Sequence, residues 1–347
     1  MNYTQSVEAL FKPFTTKNLT LSNRIVMAPM TRGFSPDGVP GMDVAEYYRR
    51  RTENGVGLIV TEGTIINHAD SSNQSNVPHI YGEAALNGWE RVVAAVHEAG
   101  GKIIPQIWHM GARGNVGEYS ESEISEIVEA FAQAAFEAKR LGFDGMELHG
   151  AHGYLIDQFF WEKTNPRTDR YGGDMMKRTR FAVEVIEACR RAVGTDFPLV
   201  LRISQWKASD YAAKLAETPE KLEQFLKPLV DAGVDIFHCS TRRFWEPEFE
   251  GSELNLAGWT KKLTGKPTIT VGSVGLDGDF MSLFTEGKGA SNETITNGLI
   301  EKLEREEFDL VAVGRALLVD PVWANKIRDR RTDELIPFTS ESLKTLY

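Results

Sequence analysis

Short runs of apolar, mostly β-branched residues recur along the chain. They are IVMAPM (25–30), GLIVTEG (57–63), KIIPQIW (102–108), GMELH (145–149), PLVLRIS (198–204), DIFHCST (235–241), PTITVGS (267–273) and DLVAVG (309–314). Each is short enough for a strand buried on both faces. Between them GWERVVAAVHEAG, SEIVEAFAQAAFEAKRLG and KRTRFAVEVIEACRRAVG carry apolar residues at helical spacing. Several helical stretches close on a glycine before the next strand, as in EAKRLGFDG and LVDAGVDI, which suits a helix C-cap. Strand and helix alternating in this way predict a parallel sheet, since each return needs a crossover helix. Eight such units close a (β/α)₈ TIM barrel. A doubly wound open sheet would carry a G-x-G-x-x-G turn after its first strand, and APMTRG lacks it. No linker-like stretch divides the chain, so the pattern predicts one domain over residues 1–347 with a few long βα loops.

Composition narrows the function classes without choosing one. The chain is 41% hydrophobic and 25% charged, ordinary values for a globular protein. Net charge is −10 and the basic residues are scattered, which argues against a nucleic-acid partner. No apolar run approaches the roughly 20 residues of a membrane helix. MNYTQSVEALFKP has no basic segment followed by an apolar core, so a cytoplasmic protein is expected. Cys189 and Cys239 are too few for a disulfide framework and read as buried small residues.

In a TIM barrel the chemistry sits at the C-terminal ends of the strands. Those ends hold Thr31, Glu62, Gln106 with Trp108 and His109, His149 with His152 and Tyr154, Arg202, Ser273, Gly314 and Arg315. Donors outnumber acids, which suits a large, planar, electron-accepting group. In ELHGAHGYLIDQFF (147–160), His149 and His152 could grip a metal, activate a nucleophile or hold a substrate oxygen. No third metal ligand is evident. Imine chemistry would want a strand-end lysine, and the nearest, Lys207, lies beyond the expected strand. VGSVG (271–275) and VGRAL (313–317) follow strands seven and eight, where barrel enzymes commonly seat a phosphate on backbone N–H groups. The plainer reading is two ordinary turns, but Arg315 beside the second pair favours phosphate.

These segments carry a resemblance. LFKPFTTKNLTLSNRIVMAPMTR, QIWHMGARG, GFDGMELHGAHGYLIDQFFWEKTNPRTDRYGG, PLVLRIS, VGS and VGRALLVDP are similar to the old yellow enzyme family, in family order from about Leu10 to about Arg330. The resemblance implies a flavin mononucleotide (FMN)-dependent ene-reductase on a (β/α)₈ barrel. It implies that Pro29, Met30 and Thr31 lie against the isoalloxazine, that Gln106 meets its pyrimidine side, and that Arg202 meets N1 and O2. Gly272, Ser273, Gly314 and Arg315 fall on its phosphate clamp. His149 and His152 match the donor pair above the flavin, and Tyr154 the proton-donating tyrosine. Glu62 joins the expected cofactor contacts from its strand-end position. Many members have asparagine where this chain has His152, and FFWEKTN (159–165) replaces a Leu-Ser-Pro run.

The expected reaction is reduction of an activated alkene, an α,β-unsaturated carbonyl or nitro compound, with NADPH or NADH as hydride donor. Trp108, Phe244 and Trp245 are expected to wall the substrate, the last two from the aromatic excursion RRFWEPEFEG (242–251). Strand alternation places Glu147 with His149, and Val200 with Arg202 and Ser204, so Glu147 is expected to pair with Arg202 from below. His68 and His109 receive no role. A small-molecule substrate, no metal, and a monomer or homodimer complete the expectation. A phosphate-binding aldolase or isomerase, or a flavin-binding protein without turnover, are the alternatives.

Overall fold

The eight expected strands form the barrel. After a small antiparallel ribbon, β1 (Phe14–Thr16) with β2 (Leu19–Leu21), come β3 (Ile25–Met27), β4 (Leu58–Ile65), β5 (Lys102–Trp108), β6 (Met146–His152), β7 (Leu199–Lys207), β8 (Ile236–Ser240), β9 (Thr268–Val271) and β10 (Leu310–Val313). In this computed structural model, strands β3 to β10 pair in parallel and in order, and β10 returns to β3 to close the cylinder. Residues 6–111, 113–276 and 298–347 are described; positions 1–5, 112 and 277–297 of the domain expected over 1–347 lie outside the described residues.

Alternation along each strand divides the core in two. Ile25, Ile59, Ile103, Leu148, Leu201 and Phe237 face outward and pack under the helices, in one cluster with Val92, Phe131, Phe181 and Leu229. Val26, Leu58, Ile104, Val200, Ile236, Ile269 and Leu310 face inward and fill the lower barrel, where Phe14, Leu19 and Leu21 of the ribbon plug the floor. Burying these side chains is the main stabilising term, about 1.5–3 kcal/mol for each large one. Two residues further along the strands the inward positions turn polar, with Glu147, Arg202 and His238 above Gly145, Val200 and Ile236.

Strand lengths differ from the sequence pattern in two useful places. β3 stops at Met27 rather than residue 30, because Pro29 has no N–H to continue the ladder. β6 runs on through His152 with a register shift between Gly150 and His152, and β7 continues to Lys207. The two histidines therefore stand on the strand and on its bulged end, not in a loop.

Candidate active site

A cavity of about 460 Å³ opens at the C-terminal mouth. Of the expected residues it is lined by Pro29, Met30, Thr31, His152, Arg202, Gly272, Ser273, Gly314 and Arg315. A Cβ on Gly272 would lie 2.5 Å from Thr241 Oγ1, so only glycine fits between this turn and β8. A Cβ on Gly314 would meet nothing nearer than Met30 Sδ at 3.5 Å, so its absence leaves the cavity floor open. Ser273 holds φ +54°, with its hydroxyl donating to the Arg242 carbonyl at 2.9 Å.

Arg202 enters this cavity from β7 and is otherwise buried. Its Nε has no hydrogen-bond partner. Burial lowers its pKa, opposed by the charges of Glu147 and Tyr154. The expected Glu147–Arg202 pair does not form. Glu147 Oε1 accepts from Gln106 Nε2 at 2.7 Å, and Oε2 meets His238 Nδ1 at 2.7 Å. Burial pushes the Glu147 pKa up, but His238, Arg202 and Gln106 outweigh it and the net shift is down. His238 is held below its ordinary value by burial, so the neutral ring donates Nδ1–H to the carboxylate. Sequence reading passed over His238, although it sits inward on an expected strand two residues before Ser240.

The histidine stretch forms a second group beside the cavity. His149 lies edge-on to Tyr154, with centroids 4.7 Å apart, and near His152 at 5.1 Å. Trp108 closes the far side, 4.7 Å from Tyr154. His149 Nδ1 accepts from the Ala151 amide at 3.4 Å, which leaves the proton on Nε2 in the neutral ring. Burial first, and the Arg202 charge second, hold both histidines well below the ordinary value. His152 Nε2 is 2.8 Å from Ser240 Oγ, and the ring stacks on Trp206 at 4.4 Å. Burial raises the Tyr154 pKa, so its hydroxyl stays protonated.

Several expected residues lie elsewhere. Gln106 and Glu62 do not line the cavity. Glu62 Oε2 instead accepts the amides of Arg32 and Gly33 at 2.8 and 3.0 Å, pinning the segment that follows Thr31. The Phe244 side chain is fully buried in the outer core and Trp245 packs against that core, so neither lines the cavity. Phe244 is taken into the core because its amide is tied to the Gly272 carbonyl at 3.1 Å. That stretch contributes Arg242 instead, stacked over Tyr211 at 4.8 Å. Trp206, Tyr211, Ser240, Phe338 and Leu343 also line the wall and were not anticipated. Ser240 was legible by alternation, whereas nothing in the tail sequence signals that Phe338 and Leu343 fold back. They do so because Arg32 donates to the carbonyls of Ser342, Leu343 and Thr345.

Other features prove structural. Lys207 is fully buried against Asp157 at 2.6 Å, which leaves no free amine for imine chemistry. Asn165 donates to the Phe159 and Tyr171 carbonyls, and Arg167 to Asp169, so this asparagine–arginine motif ties its own loop. His109 is buried 3.1 Å from His68, away from the cavity wall. Among the described residues no three His, Cys, Asp or Glu side chains gather to hold a metal, and no helix is long and apolar enough to cross a membrane.

A largely apolar cavity with an orphaned guanidinium donor, two glycine turns and the Pro29–Thr31 segment beside them fits a planar ring with a phosphate tail. Comparison agrees. The family model described as the NADH:flavin oxidoreductase / NADH oxidase family matches residues 9–121 and 115–334. NADH oxidase of Thermoanaerobacter brockii is 33% identical over 94% of this chain and 52% of its own length. 12-oxophytodienoate reductase 7 of Oryza sativa subsp. japonica is 39% identical over 63% of each chain. The chain thus spans about half of the first relative and less than two thirds of the second. The solved old yellow enzyme homologue from Zymomonas mobilis superposes with a TM-score of 0.78 at 24% identity, covering 96% of both chains. The barrel therefore has the fold of that solved homologue. The chain belongs to the NADH:flavin oxidoreductase / NADH oxidase family, the old yellow enzyme family, whose flavin is FMN.

Proposed function

We propose that this chain is an FMN-dependent NAD(P)H oxidoreductase that reduces the C=C bond of activated alkenes. The observation that carries the reading is the placement of His149 and Tyr154, 4.7 Å apart, beside a largely apolar cavity that holds Arg202 and two glycine turns. Gly272, Ser273, Gly314 and Arg315 would hold the phosphate, Arg202 the electron-rich edge of the ring, and Pro29, Met30 and Thr31 its opposite edge. FMN, when bound, supplies the centre that takes hydride from the nicotinamide and passes it to the alkene β-carbon.

The protein's own residues supply the rest. His149 offers Nε2–H to the carbonyl or nitro oxygen. With Ser240 as donor to Nε2, neutral His152 carries its proton on Nδ1 and offers a second one. Two fixed donors stabilise the oxygen as negative charge develops there, without reorganising at the moment of reaction. Tyr154 delivers its hydroxyl proton to the α-carbon. Trp108 packs behind Tyr154 and His149 and limits their movement. The name of the rice relative, a 12-oxophytodienoate reductase, supports an enone as substrate class. We place the protein in the cytoplasm, acting on small molecules as a monomer or homodimer.

The test is the visible spectrum of the purified protein. A yellow protein bleached by NADPH and recoloured by cyclohexenone is expected. A colourless protein that stays so when FMN is added would return it to the aldolase or isomerase class. A yellow protein that NADPH does not bleach would make it a flavin-binding protein without this turnover.

A further inference from the structure

The turn that aims His152 and Tyr154 has an unusual backbone. His152 and Gly153 hold φ +65° and +87° in succession, a left-handed conformation that is uncommon for residues other than glycine. What imposes it comes from β7. The His152 amide donates to Ser204 Oγ at 3.0 Å, and its carbonyl accepts from Ala208 N at 3.2 Å. The Gly153 amide donates to Asp157 Oδ2 at 2.7 Å. Asp157 Oδ1 then meets Lys207 Nζ at 2.6 Å, and the same ammonium donates to the Ser204 carbonyl at 3.3 Å.

Both side chains of this ion pair are 0% exposed. Desolvating two charges costs about as much as their attraction returns, and apolar residues of the same size commonly stabilise a fold equally well. Stability alone is thus a poor reason for the pair. Its geometry supplies a better one. Asp157 lies on the short helix Leu155–Phe160 just past Tyr154, Lys207 ends β7, and each charge makes a second bond at the turn or at the strand that holds it.

We propose that Asp157 and Lys207 are positioning residues that lock residues 152–154 onto β7 and so hold His152 and Tyr154 in place to act on substrate. The inference rests on the oxidoreductase reading above. Neither residue touches the cavity.

Lys207→Met is the simplest probe, but it strands a buried carboxylate and can unfold the chain. Asp157→Leu/Lys207→Met replaces the pair by apolar residues, removing both charges and the Gly153 acceptor. FMN-loaded parent and variants are compared for melting temperature, for NADPH oxidation with cyclohexenone or menadione, and for amide exchange of the peptide spanning 150–158. The double variant should melt at or above the parent temperature, with faster exchange in that peptide. Its cyclohexenone turnover should fall about 10- to 100-fold, as misplaced catalytic groups do, while menadione turnover stays within about twofold. Parent-like exchange, parent-like cyclohexenone turnover, or an equal loss with both acceptors would overturn the assignment. A parent that reduces menadione but not cyclohexenone would sink the ene-reductase reading instead, and exchange in the 150–158 peptide alone would then decide whether the pair locks the turn.

Discussion

Glu147 and His238 face one another across the barrel interior, carboxylate Oε2 to imidazole Nδ1 at 2.7 Å, with both side chains fully buried. Gln106 holds the other carboxylate oxygen at 2.7 Å. The three side chains come from β5, β6 and β8, and Arg202 of β7 stands level with His238 in the strand register. A fixed negative charge thus lies near the guanidinium that would meet the flavin, and Glu147 raises the Arg202 pKa against the effect of burial.

His238→Ala should therefore be costly although the residue does not itself line the cavity. It leaves Glu147 Oε2 buried without its donor, a loss of roughly 3 kcal/mol for a charged group. Urea unfolding of the FMN-loaded protein measures it. Glu147→Gln/His238→Ala, which removes the stranded charge, should recover part of the loss. A single variant within about 0.5 kcal/mol of the parent, the range of ordinary surface substitutions, would mean that the pair contributes nothing.

Arg315→Ala should release FMN far more readily than it alters turnover in the holoprotein that remains. The arginine stands at the glycine turn where the phosphate is proposed to sit, away from the reacting ring. Its charge-assisted bond would be worth about 1.5–3 kcal/mol, or about 10- to 150-fold in affinity. Flavin absorbance after extensive dialysis reads this directly. Equal retention by parent and variant would remove Arg315 from the clamp.

His149→Ala and Tyr154→Phe should separate the oxygen grip from the proton. Losing one donor to a developing oxyanion typically costs about 2.7–4 kcal/mol, so His149→Ala should impair cyclohexenone reduction more than flavin reduction by NADPH. Tyr154→Phe keeps the ring that packs on Trp108 and deletes only the hydroxyl. Enone reduction should slow by about 10²–10⁴-fold, while a quinone, which needs no α-carbon proton, should be reduced at close to the parent rate. Stopped-flow traces of both half-reactions decide the matter. Equal slowing with quinone and enone would exclude Tyr154 as the acid.

Glu62 should make stability depend on pH. Burial pushes its pKa up to about 7 from an ordinary 4.5, although the Gly33 and Arg32 amides oppose the shift. The folded protein then holds this proton more tightly than the unfolded chain does. Its contribution is full below the unfolded value and is lost as pH rises through the folded one, a fall of about 3 kcal/mol. Between about pH 4.5 and pH 7.5 the parent should lose stability relative to Glu62→Gln, which carries no titrating group there. Parallel stability curves for the two proteins would show that Glu62 titrates normally.

The hydropathy pattern alone determined the architecture. Eight apolar runs separated by amphipathic helices admit few closed arrangements, and a strand buried on both faces is legible because its whole length is apolar. The strand ends then followed, and with them Thr31, Arg202 and the two glycine turns, while Pro29 and Met30 came from the family resemblance. Alternation also grouped Glu147 with His149, since side chains two apart on a strand share a face.

Partner choice was beyond it. Glu147 had Arg202, His238 and Gln106 within reach, and only the stagger of β5, β6, β7 and β8 decided that Gln106 and His238 take the carboxylate. Glu62 looked like a ligand at a strand end, yet it faces the amides of Arg32 and Gly33, a choice set by where the chain turns after β3. Phe244 read as a substrate wall because an aromatic residue in a long loop has no periodicity to reveal which side it buries. The walls made by Trp206, Tyr211, Phe338 and Leu343 arise from segments far apart in sequence, brought together by stacking and by carbonyls that Arg32 gathers. Local pattern decides which face of an element is buried. Which side chain meets which across the barrel mouth is a matter of distance between separate segments, and that exists only once the barrel has closed.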